Sequence, residues 1–157
     1  PGQGPGAAPA VAGAGVLGES RSTGELMTVP AYSNEVLRRF EEPSGAGPMF
    51  GQGPDVVRGV AGDFSRGTRV EFQLRLREAT IAACRFQAYG CPHVIAAASW
   101  MSERAEGVAL TDLPTDFTAL AVAEALDAPA EKLGPLLVVE DAFAAAVAAA
   151  QDRQAGA

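Results

Sequence analysis

Between Arg69 and Arg77 the chain alternates without a break: Arg69, Glu71, Gln73, Arg75 and Arg77 are polar, and Val70, Phe72, Leu74 and Leu76 between them are apolar. Successive side chains of a strand point to opposite faces, so this stretch predicts a β-strand with one buried and one wet face. A second strand is predicted over Thr80 to Tyr89, joined to the first by a short turn at Glu78 and Ala79. On it Ala82, Cys84, Phe86 and Ala88 share the inner face and Arg85 and Gln87 the outer one. Cys84 is therefore expected in the core as a small hydrophobe. A further strand is expected at Asp55–Val60, although glycine weakens strands.

After Gly90 the period lengthens to about 3.6 residues. Val94, Ala98, Met101 and Ala105 form one helical stripe that ends at Gly107. A second helix is predicted from Asp116 to Leu126, with Leu120 marking its inner face. A last one follows Pro135, with Leu136, Val139, Phe143 and Val147 inward. Ahead of the strands, Ser33 is a good N-cap, and Tyr32 can staple onto Leu37 to open a short helix whose Val36, Leu37 and Phe40 make an apolar face. Strands first and helices afterwards predict an α+β fold, a three-stranded antiparallel sheet packed against helices in one two-layer domain.

Residues 1–30 are dominated by Gly, Ala and Pro without periodicity, and are expected to be a flexible arm. Met27 within it could be a natural start. The domain is expected over 31–152, with a tail at 153–157. A net charge of −7 and a single lysine, Lys132, argue against nucleic acid or an anionic membrane as partner. No uninterrupted apolar run approaches the roughly 20 residues that span a bilayer, and the start lacks the pattern of a signal peptide. The expectation is a soluble protein of the cytoplasm or an equivalent reducing compartment. Two cysteines in 157 residues do not make a disulfide framework and point instead to sulfur, redox or metal chemistry.

The second cysteine lies in Ala88-Tyr89-Gly90-Cys91-Pro92-His93, beside the only histidine of the chain. Gly90 ends the strand, Cys91 falls at the N-cap or first position of the helix, and Pro92 suits a first turn because it has no N–H to leave unpaired. The positive end of a helix stabilises a thiolate. Cys91 is thus better placed for chemistry than Cys84. His93, in the same turn, could join Cys91 in a metal site, though Cys-x-His is a weak motif. No nucleophile–base pair, phosphate loop or carboxylate pair supports an enzyme.

The segments Tyr32-Ser33-Asn34-Glu35-Val36 through Phe40, Pro43 and Gly47, then Ala61-Gly62-Asp63, Cys84-Arg85-Phe86-Gln87-Ala88-Tyr89-Gly90-Cys91 and Val139-Glu140-Asp141-Ala142 resemble, in order and spacing, the IscU/NifU N-terminal family of iron–sulfur cluster assembly scaffolds. The resemblance implies an α+β sandwich that receives sulfur from a cysteine desulfurase, assembles a [2Fe-2S] cluster and passes it on. The family's site has three cysteines, an aspartate two residues after the first, and often a histidine just before the third. Here the middle cysteine corresponds to Cys91 and the aspartate to Asp63, while Ala61, Gly134 and Pro135 stand where the first cysteine, the histidine and the third cysteine would be. Leu126–Lys132 is similar to the family's chaperone-recognition segment, with Ala130 and Glu131 in place of its usual apolar and proline character.

Three functions are compatible with these residues. One is a degenerate scaffold in sulfur or iron transfer, with Cys91 as persulfide acceptor and Asp63 as its carboxylate. Another is a subunit without a cluster that keeps the fold to bind a desulfurase or another protein assembly. The third is a small module holding labile zinc or iron through Asp63, Cys91 and His93.

Overall fold

The computed structural model describes residues 10–11 and 32–156. Its elements, in chain order, are β1 (Ala10–Val11), α1 (Asn34–Glu41), β2 (Val56–Asp63), β3 (Thr68–Arg77), β4 (Thr80–Gly90), α2 (Pro92–Ala105), α3 (Ala119–Ala125) and α4 (Leu133–Ala155). The strands form an antiparallel sheet in the order β1-β4-β3-β2. The predicted three-stranded sheet is thus present, and the dipeptide β1 adds to its edge, Ala10 opposite Gly90 and Val11 opposite Tyr89. The rest of the expected arm, including Met27, lies outside the described residues. Helices α2 and α4 cover one face, burying Phe72, Leu74, Ile81, Phe86, Val94, Met101, Leu136, Val139 and Phe143 between sheet and helices.

The β3–β4 hairpin closes through Glu78 and Ala79, with φ of 51° and 66°. Two left-handed residues in a row match the twist of a hairpin, although neither is the glycine that usually occupies such a position. One detail departs from the predicted alternation. Leu76 pairs with Ile81 but Arg75 with Ala83, so Ala82 is an extra residue that bulges from the ladder and is exposed. The bulge resets the parity, which is why Ile81 and Cys84 are both buried. The outer edge of β4 is also covered: Phe86 N donates to Gly45 O at 3.0 Å, Ile81 N to Val108 O at 2.9 Å, and Cys84 N to Glu106 Oε2 at 3.0 Å.

The predicted wet face of β3 is partly roofed by the connection between α1 and β2. Phe50 N donates to Gln73 Oε1 at 2.7 Å, and the Phe50 ring lies under the Arg75 guanidinium at 4.2 Å. Glu71 pairs with Arg58 at 3.0 Å, and both Glu71 and Gln73 are buried. In α1, Ser33 caps the helix by accepting from Val36 N at 3.1 Å. Val36 is buried as expected, Phe40 is half-buried, and Leu37 is exposed. Arg39 takes part in the inner face instead, its guanidinium donating to Glu35, Glu103 (2.6 Å) and Ser99 (3.3 Å).

Helix α3 starts later than predicted, because Thr118 caps it through Ala121 N and Glu140 accepts from Ala119 N at 2.8 Å. Its buried side is Ala119, Val122 and Ala123; Leu120, expected inward, is 70% exposed. Helix α4 starts at Leu133, with Pro135 in its first turn, and continues to Ala155. The expected tail at 153–157 is therefore largely helix, and Arg153 reaches back to the carbonyls of Pro54 and Val56 on β2. By length and mean hydropathy the stretch Ala130–Ala155 could cross a membrane. Glu140 and Asp141 interrupt its apolar run, and α4 packs its inner face on β2 and β3 as the core helix of the domain.

Strand β2 extends through Asp63 despite its glycines, and Gly59 shows why one is needed. A Cβ there would lie 2.1 Å from Ala146 N and 2.4 Å from Ala142 O, so strand and helix backbones touch directly. Both obstacles are main chain and neither can rotate away. Gly59→Ala should cost about 2 kcal/mol or more by overpacking, measured as a lowered urea midpoint; a midpoint equal to wild type would contradict this contact.

Candidate functional site

Asp63 and Cys91 lie where β2 and β4 end at the same end of the sheet, Gly134 and Pro135 lie in the first turn of α4, and Cys84 lies mid-strand on β4, opposite Leu74. Asp63 is the last residue of β2, opposite Thr68, and Tyr89 on β4 is opposite Arg69. Asp63 and the Gly90–Cys91 junction therefore flank the beginning of β3, two strand spacings or about 10 Å apart. The turn after Asp63 bridges this gap with an aromatic contact: Phe64 meets Tyr89 edge-on at 5.2 Å between ring centres, and Arg69 lies over Phe64 at 5.1 Å. The start of α4 closes over the same end. A Cβ at Gly62 would stand 2.8 Å from Val138 Cγ1.

Cys91 is the N-cap of α2, with extended backbone, and Pro92 follows as the first helical residue, as the sequence predicted. Its carbonyl accepts from Val94 N at 3.0 Å and Ile95 N at 3.3 Å, which fixes the helix start. The thiol is free and half-buried. Cys84 is free as well, yet fully enclosed, and burial pushes its thiol up to about 12. The two cysteines thus differ by environment: one can meet a partner and the other is sealed as an inert thiol.

Asp63 is exposed, and its Oδ1 accepts from Ser65 N at 3.0 Å, capping the single 3-10 turn Phe64–Arg66. That backbone hydrogen bond, reinforced by the Ser65 hydroxyl, holds the carboxyl below its ordinary range, so it stays ionised. Ala61 is half-buried near the end of β2 and packs against the core. Gly134 is exposed in the first turn of α4, and Pro135 beside it is half-buried.

His93 does not face this end in the way a ligand set would require. It is 2% exposed, its ring 5.0 Å from that of Tyr32, and among the described residues neither ring nitrogen has a hydrogen-bond partner. Among the described residues no group of three His, Cys, Asp or Glu side chains is drawn together as a metal ion would need. Asp63, Cys91 and His93 are therefore not gathered into one site.

The chain matches the profile of the NifU-like N-terminal domain over residues 31–157. It is a member of the NifU-like N-terminal domain family. The iron–sulfur cluster assembly scaffold protein IscU of Azotobacter vinelandii is 33% identical over 118 residues, covering 74% of this chain and 91% of that protein. The IscU scaffold of Escherichia coli (strain K12) is 30% identical over 119 residues, covering 75% and 92%. The fold is also that of the N-terminal NifU-like protein from Brucella abortus, with a TM-score of 0.54 at 14% identity, over 76% of this chain and 93% of that one.

For a NifU-like domain the donor set is poor. A [2Fe-2S] cluster takes about four ligands, mostly thiolates, and the five positions to which the resemblance points hold Ala61, Asp63, Cys91, Gly134 and Pro135. One thiol and one carboxylate do not fit that cargo. Phe64 and Tyr89, which join the two sides of the site, were not singled out as a pair. The sequence signal for it was an aromatic residue directly after Asp63.

The buried imidazole has a measurable consequence. Burial, with the Lys132 charge acting in the same direction, pushes His93 down to about 4 from its ordinary 6.5. The unfolded chain therefore binds this proton first as pH falls. The stability due to a neutral His93 is complete above pH 6.5 and is lost on the way to pH 4, by up to about 3 kcal/mol. In urea denaturation across that window, wild type should lose stability relative to His93→Leu as the pH falls; parallel curves would contradict it.

Proposed function

We propose that this protein works in iron–sulfur cluster assembly as a scaffold-type sulfur acceptor, with Cys91 as the receiving thiol. It is a carrier and not an enzyme. The observation that carries this reading is the contrast between the cysteines: Cys91 is only partly buried at the strand-to-helix junction, and Cys84 is enclosed. The IscU relatives supply the setting, since they are assembly scaffolds matched over most of their length. The partner that fits is a cysteine desulfurase carrying a persulfide. The Cys91 thiolate attacks the outer sulfur, the S–S bond of the donor persulfide breaks, and the donor leaves as a thiolate. A persulfide remains on Cys91, and no external oxidant is needed because the transferred sulfur is already at the oxidation level of sulfane. Asp63, ionised on the other side of β3, adds negative charge for an incoming iron ion. A free acceptor thiol suits a reducing compartment such as the cytoplasm.

A second reading is favoured by the exposed apolar side chains: Phe64 is 59% exposed, and Leu120 and Leu137 also face solvent. These suit a scaffold-like subunit that keeps the fold for contact within a larger protein assembly. One experiment separates the two. Incubation with a desulfurase, pyridoxal phosphate and cysteine, followed by intact-mass measurement, should add the mass of one sulfur atom to wild type and none to Cys91→Ser. Equal modification of both proteins, or of neither, would remove the acceptor role.

A further inference from the structure

We infer that the purified chain retains no [2Fe-2S] cargo, and that it lost this capacity through its donor side chains alone, with the backbone of the cage still in place. The inference deepens the sulfur-acceptor reading and rests on it only for the identity of the cargo. The donors that remain are the Cys91 thiol and the Asp63 carboxylate, which stand on opposite sides of the β3 start. One oxygen of Asp63 is already engaged by Ser65 N at 3.0 Å. The imidazole of His93 does not make up the shortfall, because it is enclosed against Tyr32. Two donors, one of them a thiolate, supply too little soft negative charge to hold two irons.

The three silent positions are nevertheless built to accept side chains. Among the described residues, a Cβ at Gly134 would meet no atom within 4 Å beyond its own turn of helix, and this glycine has an ordinary helical backbone. Pro135 occupies the first turn of α4, half-buried, where no intrahelical partner exists for a backbone N–H and a residue other than proline is compatible with the helix. Ala61 lies only partly buried near the end of β2, so one added sulfur at its Cβ stays at the rim of the core. The start of α4 also keeps its close contact with β2 through Val138 and Gly62.

The test uses the full chain, ferrous iron and inorganic sulfide under anaerobic conditions, so that no desulfurase is required and failure of sulfur transfer to Cys91 remains a separate result. After desalting, wild type should keep neither iron nor acid-labile sulfide and show no thiolate-to-iron absorption. The triple variant Ala61→Cys/Gly134→His/Pro135→Cys should retain both in cluster stoichiometry and turn coloured, and adding Cys91→Ser should abolish this. Wild type that holds a cluster, whether one per chain or one bridging two chains, would overturn the inference. So would a triple variant with a wild-type circular dichroism spectrum that stays colourless. Should the triple variant not fold, Ala61→Cys/Gly134→His leaves Pro135 untouched and provides three donors with Cys91. Iron retained by that pair above the wild-type level supports the preserved cage, and retention no higher than wild type contradicts it.

Discussion

The direct contact between the backbone of β2 at Gly59 and that of α4 at Ala142 and Ala146 sets the geometry of the whole domain. With no side chain between them, strand and helix approach more closely than ordinary side-chain packing allows. One turn and more toward the start of α4, Val138 then lies over Gly62, and Leu133–Pro135 come to the end of the sheet where β2 stops. Leu136, Val139 and Phe143 complete the same contact by burial against β3. The hydrophobic core and the candidate site are thus consequences of one packing choice.

The other side of the site depends on β4. Its outer edge is tied to Gly45, Val108 and Glu106, and its inner edge to β3. A strand held on both edges delivers its last residue, Gly90, to a fixed place, and Cys91 follows as the cap of α2. The thiol of Cys91 therefore sits on a junction of strand and helix and not on a loop.

Much of this was legible in the sequence wherever periodicity was strong. The alternation from Arg69 to Arg77, the change of period at Gly90 and the N-caps at Ser33 and Cys91 all reappear, because each reports a local backbone preference. What escaped was set by distant partners. The bulge at Ala82 depends on the register of β3 against β4. The covering of Gln73 depends on Phe50, twenty-three residues earlier. The exposure of Leu120 follows from the cap supplied by Glu140 of α4, and the burial of Arg39 from Ser99 and Glu103 of α2. At the site, Cys91 was placed at the start of its helix, whereas the strand that carries Asp63 was expected to end at Val60 and runs three residues further. His93 was a candidate ligand on sequence proximity to Cys91, but in the fold its ring packs on Tyr32 instead.

The central claim is that the fold presents one working thiol and seals the other. Timed alkylation of the native, reduced protein with peptide mapping tests it most directly. Cys91 should be labelled in the native state, with Cys84 labelled only after unfolding in denaturant. Native labelling of Cys84 at a rate similar to that of Cys91, or a Cys91 that reacts only on unfolding, would contradict it.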